Sequence, residues 1–145
     1  MVKIGVAGAY GAFGLKHLDA LANIPNADVT AIFGPNKDKI EALAAERGIA
    51  TACSSYEDFL AADTDAVILS TPTQMHCEQS VKAMDAGKHT FSEIPMADSL
   101  ADAEAMFAAQ ERTGVVGMVG HVRRFNPSHQ YIRQIFYFRL FSNVC

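Results

Sequence analysis

The sequence has no tryptophan, only three cysteines and five prolines, and not one acidic residue after Glu111. The cysteines, Cys53, Cys77 and Cys145, are odd in number and far apart, with no C-x-x-C pair. That excludes a disulfide frame and a zinc site, and predicts reduced thiols and no metal. Long apolar runs are missing too. The uncharged stretch Ile4 to Leu15 carries four glycines, whereas a membrane span needs about 20 mainly apolar residues and a signal peptide an unbroken apolar core. A soluble, cytoplasmic protein without a membrane partner is expected. The missing acids divide the chain electrostatically. Residues 1–111 hold 7 basic and 16 acidic side chains, and residues 112–145 hold five arginines (Arg112, Arg123, Arg124, Arg133 and Arg139) and no acid. Five interrupted arginines are too few for a nucleic-acid footprint, but a local cationic end suits a small anionic ligand. A helix that simply carries no acids is the plainer alternative.

What is present is an ordinary packed composition, 145 residues of which 50% are hydrophobic and 19% charged, enough for one domain, or one and a piece. Val2 to Ala7 (VKIGVA) reads as a strand, and Gly14 to Asn23 as a helix with Leu15, Leu18 and Leu21 on one face. Asp28 to Phe33 is a second strand, and Asn36 to Arg47 a helix with Asn36 as N-cap and Gly48 just past its end. The run Asp65 to Ser70, apolar throughout from Ala66 to Leu69, predicts a strand covered on both faces, followed by a helix over Gln74 to Ala86. His89 to Glu93 and Val115 to Gly120 are further strands, separated by a helix over Ser99 to Thr113 that opens on Ser99-x-x-Asp102. Alternating strands and helices predict an α/β fold with a doubly wound parallel sheet, the Rossmann dinucleotide-binding architecture. Residues 1–125 form that domain. Residues 126–145 are expected to be a truncated or divergent start of a second one, because Ile135, Phe136, Phe138, Leu140 and Phe141 crowd together with nothing following to cover them.

Chemistry-bearing residues fall where those strands end. Gly8, Ala9, Tyr10, Gly11, Ala12, Phe13 and Gly14 link the first strand to the first helix, where glycines let backbone amides approach a pyrophosphate. The spacing is G-x-x-G-x-x-G, one residue longer than G-x-G-x-x-G, with Tyr10 as the additional residue. An NAD site ends its second strand in Asp or Glu about 20 residues on. Here that position is Gly34, followed by Asn36 and Lys37, which favours NADP while leaving NAD possible. Ser70, Thr71, Pro72, Thr73 and His76 follow another strand, offering hydroxyls and an imidazole to the cofactor. A proline turn with an ordinary helix start is the simpler reading. Glu93 and Ile94, before Pro95, reach the same edge, where the proline could carry a cis bond beside the cofactor. His121, Arg123 and Arg124 follow the last strand, and forked guanidinium groups suit carboxylates of a substrate. At least one of the two arginines is expected to pair instead with an acid such as Glu93 or with an uncovered carbonyl.

In this order the motifs resemble the glucose-fructose oxidoreductase and inositol dehydrogenase (Gfo/Idh/MocA) family, whose N-terminal half shows a glycine loop, T-P-x-x-x-H, E-K-P and G-x-x-x-R-F. The resemblance covers residues 2 to about 132. TPTQMH (71–76), AGKH (86–89), EIPMADSLADAEA (93–105) and MVGHVRRFNPSHQYI (118–132) look most like a branch that oxidises the cyclic hemiacetal of an aromatic ring-cleavage product to a pyrone dicarboxylate, with NADP preferred. The resemblance further implies a second, α+β domain for substrate and homo-oligomerisation, which this chain lacks, so the chain alone is expected to be inactive and to self-associate. The family's E-K-P lysine is Ile94 here. An alkyl side chain moves no proton, so the catalytic acid or base is not assigned.

Three alternatives stand beside this reading. One is a non-catalytic module that binds a nucleotide or a partner, since fold alone does not fix function. Another is a related dehydrogenase of a sugar or polyol. The third, a small reductase resembling dihydrodipicolinate reductase, shares the longer glycine spacing but is disfavoured by TPTQMH and GHVRRFNP.

Overall fold

The computed structural model describes the backbone of residues 1–141 and the side chains of residues 1–136. In chain order the elements are β1 (Val2–Ala7), α1 (Ala12–Leu21), β2 (Ala27–Phe33), α2 (Lys37–Arg47), β3 (Thr51–Cys53), α3 (Tyr56–Ala61) and β4 (Ala66–Leu69). They continue with α4 (Thr73–Asp85), β5 (His89–Ser92), α5 (Leu100–Thr113), β6 (Gly117–Val119), a 3₁₀ turn (Val122–Phe125) and α6 (Pro127–Phe141). The six strands are all parallel, in the order β3-β2-β1-β4-β5-β6. That order belongs to the doubly wound dinucleotide-binding sheet, whose winding reverses between β1 and β4.

The period-2 alternation of the strands divides the core between two faces. Val6 and Ile32 meet Leu18, Leu21, Ile40 and Leu43 of α1 and α2 on one face. Their neighbours Ala7, Ala31 and Phe33, with Val67 and Leu69, meet Tyr56 and Phe59 of α3 and Ala83 of α4 on the other. Phe59 and Ile32 are fully enclosed, each stabilising the fold by roughly 1.5–3 kcal/mol. Helix ends follow local chemistry: Asn36, Ser55 and Ser99 accept the amides of Lys39, Asp58 and Asp102, and Gly48 and Gly114 close α2 and α5 in the left-handed region.

Sequence and structure part in three places. The strand β3 and helix α3, three and six residues long, fall in a stretch without readable periodicity. α1 starts at Ala12, two residues inside the glycine run, because Gly14 is needed for contact with the loop before it. α6 leans on the 3₁₀ turn with Ile135 and Phe136 exposed. Phe138, Leu140 and Phe141 of the expected apolar crowd lie outside the described side chains, and Cys145 outside the described residues, while Cys53 and Cys77 are free thiols.

Candidate cofactor and substrate site

The carboxyl ends of β1, β2, β4, β5 and β6 form one edge. At β1, Gly8 has φ +73°, and a Cβ there would lie 2.6 Å from Ser70 O. A Cβ on Gly14 would lie 2.2 Å from Gly8 O. Both glycines therefore let the loop fold back on α1 and on the end of β4. Gly11 N–H donates to Gly8 O, and the first helical bond in α1 is Leu15 N–H to Gly11 O. The amides of Ala12, Phe13 and Gly14 are consequently free of intrahelical acceptors and face the dipole end where a pyrophosphate binds. Buried Ser70 Oγ has no partner. A loop that only glycines let close this tightly, with three free amides at the helix start and an unsatisfied hydroxyl at the end of β4, fits a dinucleotide.

Tyr10 has its own place in this loop. Its ring lies against Gly34, where a Cβ would approach Tyr10 Cε1 to 2.3 Å, and its hydroxyl accepts the Asn36 amide at 3.2 Å. Lys39 Nζ stands 5.9 Å from the ring centroid. The position that carries a carboxylate in NAD sites is thus both empty of side chain and occupied by Tyr10. Lys37 and Asn36 are exposed on the same turn, and Lys37 also lies 3.8 Å from Glu41.

Thr71, Pro72 and Thr73 stand at the start of α4, with Thr71 Oγ1 donating to Gln79 Oε1 at 2.5 Å. His76 departs from the sequence expectation. It is 1% exposed, and its ring nitrogens lie 2.8 Å from Pro95 O and 2.8 Å from Thr71 O. It ties two loops of the edge together and offers no ring nitrogen to a ligand. The Ile94–Pro95 bond, just before the carbonyl it contacts, is cis, as the sequence suggested. Ile94 is exposed at this edge and Glu93 is buried.

The arginines also correct an expectation. Arg123 and Arg124 make no ion pair among the described residues, and Glu93 bonds to His17 of α1 at 2.7 Å. The 3₁₀ turn and α6 instead gather the exposed residues Arg123, Arg124, His129, Gln130 and Arg133 around an open surface depression of about 370 Å³; His121 is exposed but does not line it. Sequence reasoning did not place His17 beside Glu93, or His129 and Arg133 beside Arg123 and Arg124. His17, one turn past Gly14, had a usable signal in its helical phase.

A glycine cradle at the winding reversal of a parallel sheet, with loops from β2, β4, β5 and β6 on one edge, defines the nucleotide-binding domain of an NAD(P)-dependent oxidoreductase. The chain belongs to the Gfo/Idh/MocA oxidoreductase family with an NAD-binding Rossmann fold, whose family model matches residues 2–121. It is 52% identical over 132 residues to 4-carboxy-2-hydroxymuconate-6-semialdehyde dehydrogenase of Sphingobium sp., covering 90% of this chain and 42% of that protein. It is 35% identical to the scyllo-inositol 2-dehydrogenase (NAD(+)) of Bacillus subtilis, covering 88% of this chain and 38% of that one. The solved scyllo-inositol dehydrogenase of Lactobacillus casei with bound NAD(H) and scyllo-inositol superposes with a TM-score of 0.88 at 28% identity, covering 94% of this chain and 41% of that chain. The chain thus spans about two-fifths of the length of these relatives. Among the described residues, no helix is long and apolar enough to cross a membrane.

Proposed function

We propose that this chain is the cofactor-binding part of an NADP-preferring dehydrogenase acting on a small anionic substrate, of the class of the ring-cleavage semialdehyde for which its 52% identical relative is named. The observation that carries the cofactor preference is Tyr10 seated on Gly34, with Lys37 and Lys39 on the following turn. The strand-end position itself, Gly34, carries no carboxylate to oppose a 2′-phosphate, and the ammonium groups of Lys37 and Lys39, on either side of Asp38, favour one. A nicotinamide bound here would supply a hydride acceptor for the substrate carbon. The chain's own residues would bind and orient it: the Ala12, Phe13 and Gly14 amides would hold the pyrophosphate, and Ser70, Thr71 and Thr73 would offer hydroxyls to the nicotinamide half. Ile94 takes no proton, so the proton of the oxidised hydroxyl leaves to a group elsewhere.

The substrate side rests on the arginine-lined depression. Arg123, Arg124 and Arg133 suit forked contacts to two carboxylates, whereas a neutral polyol would leave their charge unused. Free Cys53 and Cys77 agree with a cytoplasmic protein, and the exposed apolar residues of α6 agree with homo-oligomerisation of the whole protein. Fluorescence titration of the chain with NADPH and NADH tests the cofactor reading, with NADPH expected to bind more tightly. Equal affinities would overturn it. For the substrate reading, turnover of a dicarboxylate hemiacetal by the gene's full product is compared with that of inositol; a preference for inositol would sink the anionic assignment.

A further inference from the structure

The edge also holds a buried ionisable pair. The side chain of Glu93 is 9% exposed, and its Oε1 accepts from His17 Nε2 at 2.7 Å. Its second oxygen, Oε2, accepts the Ile94 amide at 3.3 Å. His17 lies on α1, and its ring meets Phe91 of β5 edge-on with centroids 5.5 Å apart. Gly120, buried just past β6, packs close on the other side: a Cβ there would lie 3.4 Å from Glu93 Oε2 and 2.6 Å from Phe91 Cζ. No lysine or arginine pairs with Glu93 among the described residues.

Burying a carboxylate is costly unless it is paired and hydrogen-bonded, and an apolar residue would fill this space at lower cost. Glu93 directly follows β5, in the second mononucleotide half of the sheet, which takes the nicotinamide end of a dinucleotide. An oxidised nicotinamide ring carries a positive charge and a reduced one does not. We propose that His17 is a positioning residue which, by donating to Oε1, fixes the Glu93 carboxylate toward the nicotinamide half, where its negative charge favours oxidised over reduced cofactor. The proposal rests on the dinucleotide reading above. Ile94 strengthens it, because the next side chain supplies no charge to offset the carboxylate.

The test measures binding by the chain, by calorimetry, of the oxidised and reduced forms of whichever coenzyme binds more tightly, and of the matching adenosine fragment, 2′,5′-ADP or ADP. Glu93→Gln is expected to weaken the oxidised form about tenfold, the reduced form about two- to threefold and the fragment not at all. His17→Phe, which keeps a ring against Phe91 but removes the donor, is expected to follow Glu93→Gln. His17→Gln, which keeps a donor, is expected to stay near the parent protein. Thermal unfolding of each variant accompanies the titrations. Equal weakening of oxidised and reduced forms, or weakening of the fragment alongside them, overturns the proposal in favour of a structural pair. No change in either variant overturns it as well. Failure of the unsubstituted chain to bind coenzyme and fragment alike overturns the dinucleotide reading itself and the proposal with it.

Discussion

The two edges of the sheet are built from similar residues and treat polar groups in opposite ways. At the amino edge, Lys88 is 7% exposed, yet its Nζ donates to Ala62 O, Thr64 O and Thr64 Oγ1 at 2.9–3.0 Å. Burial pushes its ammonium below the ordinary lysine range, and Asp63 and Asp65 pull it partly back. Asp65 Oδ2 accepts the Lys3 amide at 2.8 Å, Asp63 pairs with the Lys3 ammonium, and Asp63 O accepts from Thr30 Oγ1. Even His89 is engaged, accepting the Val116 amide. At the carboxyl edge, Ser70 Oγ and the Gln79 amide nitrogen have no partner and the arginines after β6 have no counter-charge among the described residues. Groups that hold the fold are satisfied within it. At the carboxyl edge it is the exposed, uncompensated arginines that stand open to a ligand, while Ser70 Oγ, Gln79 Nε2 and, within α4, Ser80 Oγ are buried without a partner.

That contrast can be broken from either side. The largest effect is expected from Gly14→Val, whose side chain would be driven into Gly8 O. Coenzyme affinity should fall by about 100-fold or more, with a stability loss of about 3 kcal/mol. Retained binding in a fluorescence titration would show that the loop is not the cradle. At the other edge, Lys88→Met removes three hydrogen bonds from a charged donor and should cost about 2–4 kcal/mol in urea unfolding. Coenzyme affinity of the folded protein should stay the same, and a change there would mean that the edges are coupled. Arg124→Ala should weaken binding of a pyrone dicarboxylate by roughly tenfold, read by NMR titration, while unfolding and coenzyme affinity stay near the parent values. A matching loss of stability would make Arg124 part of the fold instead. The smallest effect is expected from Lys37→Ala, which should reduce the ratio of NADPH to NADH affinity about threefold, since one exposed ammonium contributes under 1 kcal/mol. An unchanged ratio leaves the preference with Tyr10 and Lys39.

Most of the sheet was legible because its strands are short apolar runs and its helices begin on Asn36 and Ser99 caps. Element ends moved by only one or two residues. The stretch from Ile49 to Asp65 was not legible: β3 has three residues, too few for alternation, and α3 is held by Tyr56 and Phe59 against Phe33 rather than by its own periodicity. In the site, the glycine loop and the strand-end positions follow from local sequence. The His17–Glu93 bond joins residues 76 apart, and the Arg133 and His129 contribution depends on how α6 returns to the 3₁₀ turn. The contact of His76 with Pro95 O, 19 residues away, was out of reach for the same reason. Non-local pairing carries no pattern in a single chain.

The packing of Tyr10 on Gly34 bears on how coenzyme preference can evolve. A substitution of Gly34 by aspartate alone drives the new side chain into the tyrosine ring, and removing Tyr10 alone strips the Asn36 amide of its acceptor and leaves a hole. Each single change disturbs the other residue, so the effects of the two substitutions on coenzyme preference are expected not to add, and the paired exchange is expected to shift it further than the sum of the two.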